Sequence, residues 1–238
     1  MTKNEIKYLQ SLADKKNRDF EKKFVVEGPK MVAELLSADF QVEKIWTTED
    51  DNTIPSNILS EKISAVDMAR IGQLKTPTTL LALVHKPSEI QLQEKEEWTI
   101  ALDGIQDPGN MGTIIRIADW FGIQQIVASL DTADCYNSKV VQATMGGIFR
   151  VKIQYTDLEN YLSKTKMPVY GALLNGKNVY QLQEKPKGIL IIGNESKGIR
   201  PNIQTFIKRP ITIPRIGQAE SLNAAVATGI IVGQLTLL

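Results

Sequence analysis

Three short stretches of this chain carry side chains that could hold a ligand and act on it. The last runs from Pro214 to Asn223, after the apolar run Ile211 to Ile213 and before a segment rich in Ala, Val and Ile. Ser221 and Asn223 fall where a strand hands over to a helix, and unpaired backbone N–H groups there can meet a ligand. Ser is also a good N-cap residue, so a plain helix cap accounts for Ser221. It does not account for Asn223 or for the lead-in through Pro214 and Gly217. The middle stretch is Gly193-Asn194-Glu195-Ser196-Lys197-Gly198, after the apolar run Gly188 to Ile192. The first is Asp107-Pro108-Gly109-Asn110-Met111-Gly112, leading to Arg116, almost two turns along a helix that starts near Asn110. Alone, each has a bland reading: loop glycines supply turns and a single helix arginine decorates a surface. Three such loops in one domain point to a site.

Other chemistries fit less well. Gly171-Ala-Leu-Leu-Asn-Gly176-Lys177-Asn178 matches the spacing of a phosphate-binding loop, but Asn178 stands where a hydroxyl should reach magnesium, and its first residues read as strand. No GxGxxG occurs. Asp103 and Asp107 could form a carboxylate pair, although such strand-end pairs more often serve turns. His85 is the one histidine and Cys135 the one cysteine, which leaves no intrachain disulfide and no cysteine metal cluster. His85 lies beside Lys86-Pro87 at the end of an apolar run, which suits a strand end better than a catalytic base. The net charge of +1 neither demands nor excludes nucleic acid. No stretch is long and apolar enough to span a membrane, and the polar start MTKNEIKYLQ lacks a signal-peptide core. A cytoplasmic compartment is the expectation.

The elements that must position the loops form an α/β pattern. Strands are expected at 24–26, 42–47, 62–66 and 80–84, with helices at 2–13, 29–36 and after Asp67. The charged run KPSEIQLQEKEE reads as a linker. Beyond it, strands at 98–102, 125–129, 150–155, 168–174, 188–193 and 211–213 alternate with helices. Continuous apolar strands in that alternation argue for a mostly parallel sheet covered on both faces. Ligands in such sheets lie beyond the carboxyl ends of the strands, where the three loops emerge. The expected division is 1–88, a linker at 89–97, and 98–238.

Taken together, the loops resemble the SpoU (TrmH) branch of the SPOUT methyltransferases. Its first motif is matched by Asn110, Gly112 and Arg116, its second by Gly193, Glu195 and Gly198, and its third by Ile213, Pro214, Ser221, Leu222 and Asn223. One departure is Ser196, where the family usually has Gly. The resemblance implies transfer of a methyl group from S-adenosylmethionine to a ribose 2′-hydroxyl in RNA, without a metal. It implies a C-terminal trefoil knot, a homodimer through this domain, and cofactor contacts around Gly193, Asn194, Gly198, Ile213 and Leu222. Catalytic roles would fall to Arg116, Asn110, Glu195, Ser221 and Asn223, with Arg116 as the base or a phosphate-binding organiser.

The family's ribosomal-RNA members carry a small N-terminal RNA-binding domain, and KKNRDFEKKFVVEGPKMVAELL looks like its opening. Lys15, Lys16, Arg18, Lys22 and Lys23 would then meet phosphate. That tilts the substrate toward 23S-type ribosomal RNA over transfer RNA. The alternatives are a knotted methyltransferase acting on a base, a transfer-RNA 2′-O-methyltransferase, and an RNA-binding assembly factor without turnover.

Overall fold

The structure is a computed structural model that describes residues 1–74, 76–88, 98–182 and 187–237. In chain order its elements begin with α1 (Lys3–Ser11), α2 (Lys15–Glu21), β1 (Lys23–Glu27), α3 (Pro29–Leu36), β2 (Val42–Thr47), β3 (Ser60–Lys62), α4 (Ala65–Ile71) and β4 (Leu80–His85). They continue with β5 (Thr99–Asp103), α5 (Pro108–Trp120), β6 (Gln125–Ser129), α6 (Ser138–Thr144), β7 (Lys152–Thr156), α7 (Leu158–Lys164) and β8 (Val169–Asn178). The last are β9 (Ile189–Gly193), α8 (Pro201–Gln204), β10 (Arg209–Thr212) and α9 (Ala224–Leu237). The expected linker at 89–97 lies outside the described residues.

The chain divides into two compact units, Met1–Glu89 with Asp134–Phe149, and Ile90–Ala133 with Arg150–Leu238. Residues 134–149, which the sequence assigns to the second domain, pack in the first unit because its core needs them. The Tyr136 ring lies 4.6 Å from that of Phe24, and Phe149 meets Phe40 edge-on at 5.3 Å. Gln142 Nε2 donates to the Glu27 carbonyl at 2.7 Å.

In the first unit the sheet order is β1-β4-β2-β3. β4 runs antiparallel to both β1 and β2, and β2 pairs with β3 in parallel. Its core joins Leu9, Leu12, Val25, Trp46, Met68 and Leu81. The helix expected over 2–13 is α1, and a second helix that the sequence reading did not include, α2, follows it directly. Thr2 and Glu5 close a capping box on α1, and the Asp14 carboxylate then accepts from Lys16 N at 2.9 Å and starts α2. Lys22 ends α2 in the left-handed conformation at φ 54°. Ser64 caps α4, with Asp67 in its first turn rather than at its cap. His85 is the last residue of β4 and bonds Glu43 at 2.9 Å.

The second unit is a six-stranded sheet in the order β10-β8-β9-β5-β6-β7, with every pairing parallel. One face packs Ala101, Val127, Leu158, Leu162, Ile191 and Ile203 into a continuous core. α5 and α9 pack on each other; a Cβ at Gly233 would lie 3.3 Å from the Phe121 ring. The phosphate-loop spacing at Gly171–Lys177 falls inside β8, followed directly by only a single 3-10 turn at Val179–Gln181, so that motif is strand and not a phosphate loop. β10 runs so close to β8 that a Cβ at Gly176 would lie 2.4 Å from the Ile211 nitrogen, so only glycine fits there. Asp103 and Gly193 are register partners at the ends of β5 and β9. The first and second loops therefore leave the sheet side by side.

Candidate active site

Asp107 caps α5, its carboxylate accepting from Asn110 N at 2.8 Å, with Pro108 in the first turn. That cap turns Asn110 inward, where it is 8 % exposed. Its Nδ2 donates to Glu195 Oε1 at 2.9 Å, and its Oδ1 accepts from Asn223 Nδ2 at 2.8 Å. One amide thus links the second and third loops. The Glu195 carboxylate also accepts from the backbone N–H groups of Gln106 and Asp107, both at 3.3 Å. Burial works to raise its pKa, but the Asn110 bond and these N–H groups outweigh burial and hold the carboxyl below its usual range.

The second loop folds on its own backbone. Asn194 and Gly198 exchange N–H···O bonds of 3.0 and 2.9 Å. Asn194 Oδ1 accepts from Ser196 N and Lys197 N, both at 3.0 Å, and its Nδ2 reaches the Gly104 carbonyl at 2.7 Å. A Cβ at Gly193 would lie 2.3 Å from the backbone of the returning loop, so glycine is required there. Ser196 has no left-handed backbone and costs the loop nothing.

Asn223, not Ser221, caps α9: its Oδ1 accepts from Ala225 N at 2.9 Å and Val226 N at 3.2 Å. Ser221 is exposed with no hydrogen bond among the described residues. Between Ile213 and Leu222 no main-chain to main-chain hydrogen bond forms among the described residues. Ile216 is fully exposed there and Leu222 half-exposed. Arg116 lies on the exposed face of α5 and makes no ion pair among the described residues. The structure brings Asn110, Glu195 and Asn223 into one bonded chain and leaves Arg116 and Ser221 outside it.

Sequence reasoning missed Arg200. Its backbone N–H and its Nε donate to the two oxygens of Asp103 at 2.7 and 2.6 Å, and the Asp103 side chain is wholly buried. This ion pair clamps the far end of the second loop to the end of β5. The strand-end position of Asp103 was the only signal in the sequence; nothing in the spacing named its partner.

The basic set in the first unit divides. Lys15, Lys16 and Lys22 are exposed, and Lys23 pairs with Glu43. Arg18 does not meet the expectation of a phosphate contact: it is 2 % exposed, bonded to Asp134 at 2.6 Å and to the carbonyls of Leu12 and Ala13 at 2.8 and 2.7 Å. A guanidinium so enclosed holds the fold together and has no face left for phosphate.

A parallel sheet with polar loops meeting beyond adjacent strand ends defines a ligand-binding α/β protein. Residues 97–233 match the SpoU rRNA Methylase family, and residues 3–82 match the MRM3-like substrate binding domain. The chain belongs to the SpoU rRNA methylase family. It is 32 % identical to the 23S rRNA (guanosine(2553)-2′-O)-methyltransferase RlmP of Bacillus subtilis, over 97 % of this chain and 95 % of that protein. A TrmH-family structure from Porphyromonas gingivalis is 36 % identical, with a TM-score of 0.88 over 99 % of this chain and 98 % of that one. The AdoMet-bound rRNA methyltransferase from Sinorhizobium meliloti is 26 % identical, with a TM-score of 0.89 over 99 % of this chain and 95 % of that one.

Proposed function

We propose that this chain methylates a ribose 2′-hydroxyl in RNA, with S-adenosylmethionine as donor and 23S-type ribosomal RNA as substrate. The carrying observation is the bonded chain Asn223–Asn110–Glu195, which ties the three loops into one polar surface. The donor, when bound, supplies an already activated methyl group. The chain's own task is to place the acceptor oxygen in line and help remove its proton. The segment 213–222 suits an adenosyl group. Its main-chain groups are not paired with one another, and Ile216 and Leu222 offer apolar contact. Gly193, Asn194 and Gly198 set the shape of the neighbouring loop.

Arg116 takes the charged role in this reading. An exposed guanidinium is a fixed cation with a fork of donors suited to phosphate. It would hold the phosphate beside the target ribose, while Asn110, Glu195, Ser221 and Asn223 orient the sugar. Arg116 shares the exposed face of α5 with Trp120, one turn on and 81 % exposed. α9 is apolar all round and leaves Val226 and Leu237 exposed. A helix of that kind calls for cover on both faces, which supports a homodimer that would bring Arg116 to the partner's loops. The trefoil knot goes with the same family reading. The substrate-binding match over 3–82 supports ribosomal over transfer RNA.

The test is transfer of labelled methyl to unmodified ribosomal RNA and to unmodified transfer RNA, with 2′-O-methyl mapping. Label at one ribose of the ribosomal pool is the expected result. Label confined to transfer RNA, or to a base, would replace this substrate with another.

A further inference from the structure

α2 is a short helix held unusually firmly. Asp14 caps its start, Lys22 closes its end, and Arg18 fixes its inner face through Asp134 and two backbone carbonyls. On its outer face stands Phe20, 83 % exposed. It is the most exposed large hydrophobic side chain described in the first unit; Leu59 and Val66 follow at 63 %. The unit does not lack a place for rings, since Phe24, Phe40, Tyr136 and Phe149 pack together. Lys16 is one turn before Phe20 on the same helix face, and exposed Lys22 follows two residues later. The nearby carboxylate of Asp19 is engaged by Lys86 at 2.7 Å. The result is an apolar ring on a rigid mount, flanked by cations.

We infer that Phe20 is a stacking platform for an unpaired base of the RNA substrate, with Lys16 and Lys22 on the adjoining phosphates. This rests on the RNA reading above. A ring among lysines fits single-stranded nucleic acid, which presents a free base face beside its charged backbone. A duplex offers the phosphates but keeps its base faces stacked. The fixed helix holds the ring in place before the RNA arrives, so little ordering is left for binding.

The experiment compares full-length wild type, Phe20→Ala, Phe20→Trp and the double variant Lys16→Ala/Lys22→Ala. The probes are a mixed-sequence single-stranded RNA and a blunt RNA duplex of equal length, each titrated over a range of salt. Phe20→Ala should weaken binding to the single strand about ten- to hundredfold with an unchanged salt slope, since base–aromatic stacking is worth about 1–3 kcal/mol. It should leave duplex binding unaltered, and Phe20→Trp should bind like wild type. The double lysine variant should flatten the single-strand salt slope by about 0.7 for each phosphate no longer neutralised. Equal binding by Phe20→Ala and wild type, or an equal loss on both probes, would overturn the stacking role. Failure of wild type to bind either RNA would instead overturn the RNA reading beneath it.

Discussion

Arg18 and Arg116 both read in the sequence as cations that meet RNA, and the two units treat them in opposite ways. In the first unit Arg18 is sealed against Asp134 and two carbonyls. In the second, Arg116 stands exposed on α5 beyond the bonded chain of Asn110, Glu195 and Asn223. A buried guanidinium bonded to its own protein is a structural part. One kept out of such bonds is available to a ligand. Residue type cannot tell these apart; packing does.

Removing each arginine in turn separates the two roles. Arg116→Ala should lower methyl transfer by about 10²- to 10³-fold, the scale of removing one preorganised donor from a reacting site, while the melting temperature and cofactor binding stay unchanged. Labelled-methyl turnover together with calorimetric titration of S-adenosylmethionine checks this. Near wild-type turnover would remove Arg116 from its role. Arg18→Ala should do the reverse, lowering stability by about 3–5 kcal/mol because it leaves the buried Asp134 carboxylate unpaired. Denaturant unfolding followed by circular dichroism reads that loss. A stable Arg18→Ala protein with weakened RNA binding would return Arg18 to the RNA surface.

A smaller effect tests whether the three loops act as one. Asn223→Ala removes the cap of α9 and the donor to Asn110 together. Loss of the cap should cost about 1 kcal/mol of stability. Turnover should fall about ten- to hundredfold if the amide chain positions the ribose. Asn223→Asp keeps the cap but not the donor, so stability should return without full activity. Recovery of both in Asn223→Asp would show that the amide link is dispensable.

The parallel sheet, most of its strands and the loop ends were legible because continuous apolar runs between helical segments allow little else. The three motifs were legible because each joins unusual residues at a strand end. What stayed hidden depends on distance along the chain. Residues 134–149 pair with Arg18 and Phe24 more than a hundred positions away, and no local pattern announces that. α2 was legible in principle from Asp14 as a cap, yet the polar run KKNRDFEKK holds too few apolar residues to mark a helix face. Arg200 became visible only once β5 and β9 were known to be neighbours.

Glu27 and Glu195 extend the comparison from cations to carboxylates, with the smallest expected effect. Burial raises the pKa of Glu27 despite N–H bonds from Gln73 and Leu74, and its Oε2 has no hydrogen-bond partner in the described structure. Glu195 is held down by its bonds from Asn110, Gln106 and Asp107 against the pull of burial. The signs of their stability contributions are therefore opposite. A carboxyl raised in the folded state costs stability as pH climbs past its unfolded value, about 4.3, and the cost is complete above its folded value. A carboxyl lowered in the folded state contributes stability above that unfolded value and loses it as pH falls through the folded one. Glu27→Gln should therefore gain stability relative to wild type as pH rises from acid to neutral, because the amide carries no charge to bury. Glu195→Gln should lose stability at neutral pH and converge on wild type in acid. Melting curves between about pH 3 and about pH 8, a span that starts below the usual glutamate range and ends past neutrality, decide it. Parallel pH profiles for the two variants would mean that both carboxyls are governed by burial alone, and that the hydrogen bonds of the second unit's loops are too weak to hold Glu195 ionised.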